Sequence, residues 1–564
     1  MRTVHYLALA GEAAIRRQAH HEAIRHLSKG LALLRTLPDT PERARQELSL
    51  QLALGIPLIT LQGWVAPQVG QAYHRALDLS EHIGTTTQRF HALRGLELFY
   101  MTRTEYAKAR QFAEQLLPLA QQLQDPALLV GAYMAMGQVR FFTGEFTPAL
   151  EHFEHGIALT PQHYNYQSWS VGHPGISSLG YGAWALWFLG YPDQALQMSQ
   201  EALRLAREEA HPFTLAMCLQ FAAKLHQVRR EAQATQSRAE ENVALSMTHG
   251  FTPFVAMETH TRGWALAAQG HYDEGLALMR QTQDTWRAVG MNFGRTHFLA
   301  TLAETCSAMG QFEEGVQAVT EALALVEQSG ERQSEAELYR LRGELALAGT
   351  RGWGLGASSP PPQAPSLKSP VPNGVAEAVE ADFRKALDIA RHQHAKSLEL
   401  RAAMSLARLW QNQGKGVDAR ELLQEVYDWF TEGFDTKDLQ DAKTLLVMLG
   451  GTGESPKSKV PGPKGPGARG WGLGTGSSSP QAPSPKSHLS LLSPHPSVLS
   501  PLQCSAPKAS TGQSYSKEPR PVSKILVACS TSPTCYSIQT KRSPPLRLRR
   551  MLLISTPVPL RQRV

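Results

Sequence analysis

GEFTPA at 144–149 returns as GYPDQA at 190–195, GHYDEG at 270–275, GQFEEG at 310–315 and GKGVDA at 414–419. In each copy a glycine is followed five residues later by alanine or glycine. Weaker copies begin at Thr104 (TEYAKA) and Arg229 (RREAQA), so the starts fall at 104, 144, 190, 229, 270 and 310, in steps of 40, 46, 39, 41 and 40. Self-similarity at about 40 residues is the mark of stacked helix–turn–helix units. The body is therefore read as all-α, an α-solenoid.

The chemistry of one unit accounts for its residue types. Glycine ends the first helix because the position after a helix C-terminus adopts a left-handed conformation that costs glycine little. An aromatic two positions on (Phe146, Tyr272, Phe312) covers the turn, and the small residue lets two helices approach. After Gly144, the residues Ala149, Phe153 and Gly156 share one helical face, which seats the second helix on the first. Val379, Phe383 and Ala386 repeat that spacing after Gly374, and Gly414 lies 40 residues beyond it. The turn glycines are thus Gly144, Gly190, Gly270, Gly310, Gly374 and Gly414. The interval from Gly310 to Gly374 is 64, so a Gly/Pro/Ser-rich insert enters one turn, where added loop length costs little. The expected organisation is tetratricopeptide-like repeats over 1–349, a disordered insert over 350–373, the last repeats over 374–450, and a disordered basic Pro/Ser-rich tail over 451–564.

Composition separates body from tail. The 113 residues after Gly451 hold 18 of the 36 prolines, no aspartate, two acidic residues (Glu454, Glu518) and 16 Lys plus Arg. Removing the tail's +14 from the chain's +7 leaves the body at −7. A basic tail admits nucleic acid or an anionic surface as a partner. Its densest spots, Lys541-Arg542 and Arg547 to Arg550, are not interleaved with aromatics, so a solvated tail is the favoured reading and nucleic acid the alternative. Residues 351–369 and 469–487 agree at 14 of 19 positions, a duplication of sequence too poor in apolar surface to form a core. Five scattered cysteines without zinc spacing suit a reducing cytoplasm. No stretch approaches the roughly 20 apolar residues that span a bilayer.

The helical units resemble tetratricopeptide repeats. Seven strings go further: PDTPERARQELSLQLALG (38–55), LGYPDQALQMSQEALRLA (189–206), HPFTLAM (211–217), RGWALAAQG (262–270), GERQSEAELYRLRGELALA (330–348), AKSLELRAAMSLARLWQNQGK (395–415) and WFTEGFDTKDLQDAKTLL (429–446). In this order they are similar to the C-terminal repeat region of bacterial proteins that carry a class III adenylate or guanylate cyclase domain and an AAA-type ATPase ahead of the repeats. The resemblance covers about residues 1 to 450 apart from the insert. It implies a regulatory arm that binds a protein or peptide partner, including a separately encoded ATPase or cyclase module. Both catalytic modules are missing: the sequence has no G-x-x-x-x-G-K-[ST] loop and no strand-rich block with paired metal-binding aspartates. A non-enzymatic chain without cofactor, reading as a truncated or separated gene product, is the expectation.

Spacing limits the candidate metal sites. His21 and His26 flank an H-E-x-x-x-H near miss; five residues apart they lie about 140° apart on a helix and cannot share a metal. His152 and His155 with Glu151 have workable spacing but flank the core position Phe153. The residues proposed for partner docking are Leu27 and Leu31, in first helices with no capping helix before them, and Trp184 and Trp264, aromatics of first helices that alternatively pack the core.

Overall fold

The computed structural model describes residues 1–160, 166, 169–289, 292–350 and 373–450. The expected tail and most of the expected insert lie outside them. Among the described residues there are 21 helices and no strand. They run as α1 (Arg2–Arg16), α2 (His20–Arg35), α3 (Pro41–Gln62), α4 (Pro67–Ile83), α5 (Thr86–Thr102), α6 (Tyr106–Leu123) and α7 (Pro126–Phe142). Next come α8 (Phe146–Leu159), α9 (Pro174–Phe188), α10 (Pro192–Glu209), α11 (Pro212–Val228), α12 (Ala232–His249), α13 (Thr252–Ala268) and α14 (Tyr272–Val289). The last are α15 (Arg295–Ala308), α16 (Phe312–Ser329), α17 (Glu335–Thr350), α18 (Asn373–His392), α19 (Lys396–Asn412), α20 (Gly416–Tyr427) and α21 (Lys437–Met448). Each odd helix packs on the next odd helix, and each even helix on its two chain neighbours. Two layers result, with the odd helices inside.

Gly144, Gly190, Gly270, Gly310 and Gly414 join odd to even helices with φ between +74° and +93°. Thr104 (φ +61°) takes the same place, and Arg230 (φ +63°) does so instead of Arg229. The series therefore steps by 40, 46, 40, 40 and 40 from 104 to 310, and Gln18 and Gly63 extend it backwards. Gly374 does not belong to it: this glycine lies in the first turn of α18, with open space around an added Cβ. The reason is the chain between Thr350 and Asn373, too long for a one-residue turn. The single step of 46 is absorbed between α8 and α9. There Trp169 enters the interior, edge-on to Phe90 at 6.1 Å, so close to α7 that a Cβ on Gly131 would stand 2.6 Å from its ring.

The stack winds back on itself. Glu331 accepts from the Tyr106 hydroxyl (3.1 Å), and the Arg332 N–H donates to the Phe142 carbonyl (2.8 Å). Ser397 Oγ donates to the Trp187 carbonyl (2.5 Å), and Arg401 to that of Val228 (2.7 Å). At the next level Glu432 accepts from the backbone N–H of Asp193 (2.9 Å) and Gln194 (3.0 Å) at the start of α10. The Gly433 N–H donates back to Asp193 (2.9 Å). The odd-to-even turns from Thr104 to Arg230 thus meet the α16–α17 connection, helix α19 or the α20–α21 connection, and α9 touches α19. The inner helices α7, α9, α11 and α19 are consequently buried on nearly every face, which explains the unbroken apolar run Tyr181 to Phe188. Among the described residues no helix is long and apolar enough to cross a membrane.

Candidate functional site

Because the inner face is spent on contacts within the chain, it is not an open groove. What remains along the axis are small chambers. The upper one, with about 50 Å³ of room, is lined by Trp64, Tyr73, Arg94, Gln138, Tyr181 and Phe293. Its charge is already paired: the Arg94 guanidinium contacts the Glu97 carboxylate and donates to Gln138 Oε1 (3.2 Å). Burial pushes the Glu97 carboxyl up to about 7, with Arg94 opposing.

The lower chamber has two adjoining lobes of about 50 and 30 Å³, between the inner helices α9, α11, α15, α17 and α19. Lys224 places its ammonium over the faces of Trp184 (5.0 Å to the ring centroid) and Phe298 (4.5 Å). Trp184 is held by its Nε1–H, which donates to the Phe221 carbonyl (2.9 Å). One turn on, Gln227 Oε1 accepts from His297 Nε2–H (2.9 Å). Burial, then the Lys224 charge, holds the His297 imidazole well below its ordinary range and neutral. The other two cations here are ion-paired. Arg230 meets Asp438 (3.2 Å) and Glu304 (3.7 Å), and Arg401 meets Asp438 (2.7 Å) and Glu337 (3.6 Å). Burial alone would raise the Glu337 carboxyl, but Arg340, Arg401 and Arg230 outweigh it and hold it at about 2.

A wider opening faces outward. Helix α14 packs closely on α13 but only lightly on α15, so the stack splays between α14 and α16. The cleft, about 970 Å³, has Leu299 and Leu302 at its floor and Gln317 at its rim. Arg280 pairs with Glu314 (2.9 Å) and Arg287 with Glu321 (3.0 Å) between its two helices.

The four docking residues read from sequence do not form a surface. Leu27 (0% exposed) and Leu31 (9%) are core between the first helices, where Leu27 contacts the space a Cβ on Gly11 would take. Trp264 is 6% exposed and donates its Nε1–H to Glu304 (3.3 Å). Trp184 faces the axial chamber. The exposed apolar residues of α1 are instead Tyr6 and Leu9. His155 stacks on Tyr133 (5.3 Å), His26 pairs with Glu22 (3.4 Å), and among the described residues no three His, Cys, Asp or Glu gather as a metal site. Sequence reasoning missed Lys224 and Gln227. The one signal was a lysine inside the otherwise apolar LQFAAKL (219–225) of an inner helix.

These features define a tetratricopeptide-like helical repeat protein. No protein-family model matches the chain. An uncharacterised protein of Rhizobium meliloti (strain 1021) is 22% identical over 413 residues, 71% of this chain. The chain spans 37% of that protein's length. Among solved structures, a Rap protein complexed with Competence and Sporulation Factor is 10% identical, with 69% of this chain and 98% of that chain covered and a TM-score of 0.48. A signal transduction ATPase with a tetratricopeptide repeat sensor from Pyrococcus horikoshii is 11% identical, with 68% and 52% covered and a TM-score of 0.36. The apo quorum sensor NprR from B. thuringiensis is 13% identical, with 69% and 99% covered and a TM-score of 0.40.

Proposed function

We propose that this chain is a non-catalytic repeat scaffold that binds a protein or peptide partner within a bacterial cyclase/ATPase signalling system. The setting is supported by the ordered strings between 38 and 446 that resemble the repeat arm of cyclase–ATPase fusion proteins. The observation that carries the binding reading is the outward cleft between α14 and α16. Its volume lies at the upper end of ordinary ligand pockets, roughly 300–1,000 Å³. A charged rim such as this is the pattern of the polar margin of a protein contact, where it supplies orientation. The inner face, used by other solenoids as a concave surface, is closed here by the chain's own loops.

A photo-reactive residue at the exposed Gln317 tests this, with a second at Lys29 as reference. A cyclase–ATPase fusion protein lacking its own repeat arm serves as the partner. The expected result is crosslinking from position 317 and not from 29, together with a changed ATPase rate when the chain is added. Equal labelling from both positions with no change in rate rules the reading out.

A further inference from the structure

Lys224 is 7% exposed, and among the described residues it makes neither an ion pair nor a hydrogen bond; its neighbours are two aromatic faces. A buried ammonium in that state is costly unless something anionic comes to it. The groups around it do not supply a direct counter-ion. Glu331, from the connection between α16 and α17, spends its oxygens on Tyr106, Thr296 and Gln333. Glu258, on α13, is wholly buried; burial raises its carboxyl and lowers the Lys224 ammonium, and the two attract each other without a direct contact. His260 on α13 and His297 on α15 are held neutral by burial.

A second donor is free beside it. Gln227 lies three residues along the same face of α11, its oxygen engaged by His297, and its buried Nε2 has no hydrogen-bond partner. Lys224 borders one lobe of the lower chamber and Gln227 the other; Ser334 lines both, and Trp184, Trp187 and Phe188 supply apolar walls.

We propose that the lower axial chamber binds the carboxylate group of a small organic acid or of a peptide C-terminus, one oxygen on Lys224 Nζ and the other on Gln227 Nε2. One cation and two donors match a planar monoanion, whereas a phosphate dianion would bring a second buried charge with no cation to meet it. The lobes of about 30 and 50 Å³ hold a few waters, one needing about 10–15 Å³, so they take a carboxylate head with a short apolar body, and any chain beyond that must lie outside them. This inference goes beyond the scaffold reading and does not rest on it: the chamber is inside, the partner cleft outside.

Phenylacetate and the tripeptide glycyl-glycyl-phenylalanine, each beside its neutral amide, are the probes, titrated calorimetrically into the full chain. At least one acid is expected to bind ten-fold or more tighter than its amide. Lys224→Arg should retain that preference, Lys224→Met should abolish it, and Gln227→Leu should reduce it several-fold. A preference confined to phenylacetate assigns a free organic acid, and one confined to the tripeptide a peptide terminus. If neither acid outbinds its amide, or if Lys224→Met keeps the preference, the inference is wrong. The acid-against-amide comparison on the unmutated chain decides the matter even where a variant fails to fold.

Discussion

His173 and His211 each precede a proline that opens an inner helix, and each uses ring Nδ1 to accept a backbone N–H of the first turn, from Ile176 (3.2 Å) and Thr214 (3.3 Å). Only a neutral imidazole has that lone pair. Burial holds both rings down at about 4, so between about 6.5 and 4 the unfolded chain takes up protons that the folded chain refuses. Stability is therefore full above 6.5 and is lost as pH falls toward 4, by up to about 3 kcal/mol per ring. Glu97, raised by burial to about 7, runs the other way, losing stability as pH rises from about 4.5 to 7. The two are separated by substitution. His173→Asn with His211→Asn keeps an oxygen cap and should lessen the fall of the urea midpoint between pH 6.5 and 4, the rest coming from other rings lowered by burial such as His91, His260 and His297, while either alanine should cost about 1 kcal/mol at pH 7. An unchanged acid slope in the double asparagine variant would refute the assignment. These caps were not legible in the sequence, because histidine is outside the usual capping set and the HP dipeptide reads simply as a break before a helix.

At the scale of the element, the sequence motif fuses two demands that the structure pulls apart. The leading glycine answers a backbone requirement, and the small residue five positions on answers a packing one. At Gly275 a Cβ would stand 2.4 Å from the Gly263 carbonyl oxygen, so α13 and α14 cross in backbone contact. At Gly414 φ is +77° but space is open. Gly275→Ala is expected to cost about 2–3 kcal/mol by forcing the helices apart, and Gly414→Ala about 1 kcal/mol through backbone strain alone. Chemical denaturation of both variants checks the order, and a reversed order would contradict the division. The same separation explains the misreadings. Left-handed turns at Gln18, Thr104 and Arg230 show that stacking imposes the conformation without glycine, so glycine counts alone misplace the register. Gly374 shows the converse, a glycine at the right interval with no turn to serve.

On the scale of the whole molecule, the decisive contacts join residues 173 to 240 apart, and no local pattern announces them. A period of 40 gives the stack but not how tightly it winds, which depends on small rotations accumulated over many units. For that reason the closed axis and its chambers were illegible. The closure at α10 is reciprocal: Glu432 caps the helix, whose own flanking residue Tyr191 provides no side-chain cap, while Asp193 accepts from Gly433 N–H. Gly433 has φ +76°, and an added Cβ would fall 2.1 Å from Pro192, so only glycine passes there. Capping by a carboxylate contributes about 1–2 kcal/mol. A double-mutant cycle on Glu432→Ala and Asp193→Ala should return a coupling of about 1–2 kcal/mol, since both residues serve one joint. Amide exchange should quicken at residues 193 and 194 in Glu432→Ala, with little change in the turn at Gly270, which takes no part in this joint. Were the two losses simply additive and the exchange rates unchanged, α10 would be held by its own repeat alone, and the winding would be a consequence of stacking instead of a lock upon it.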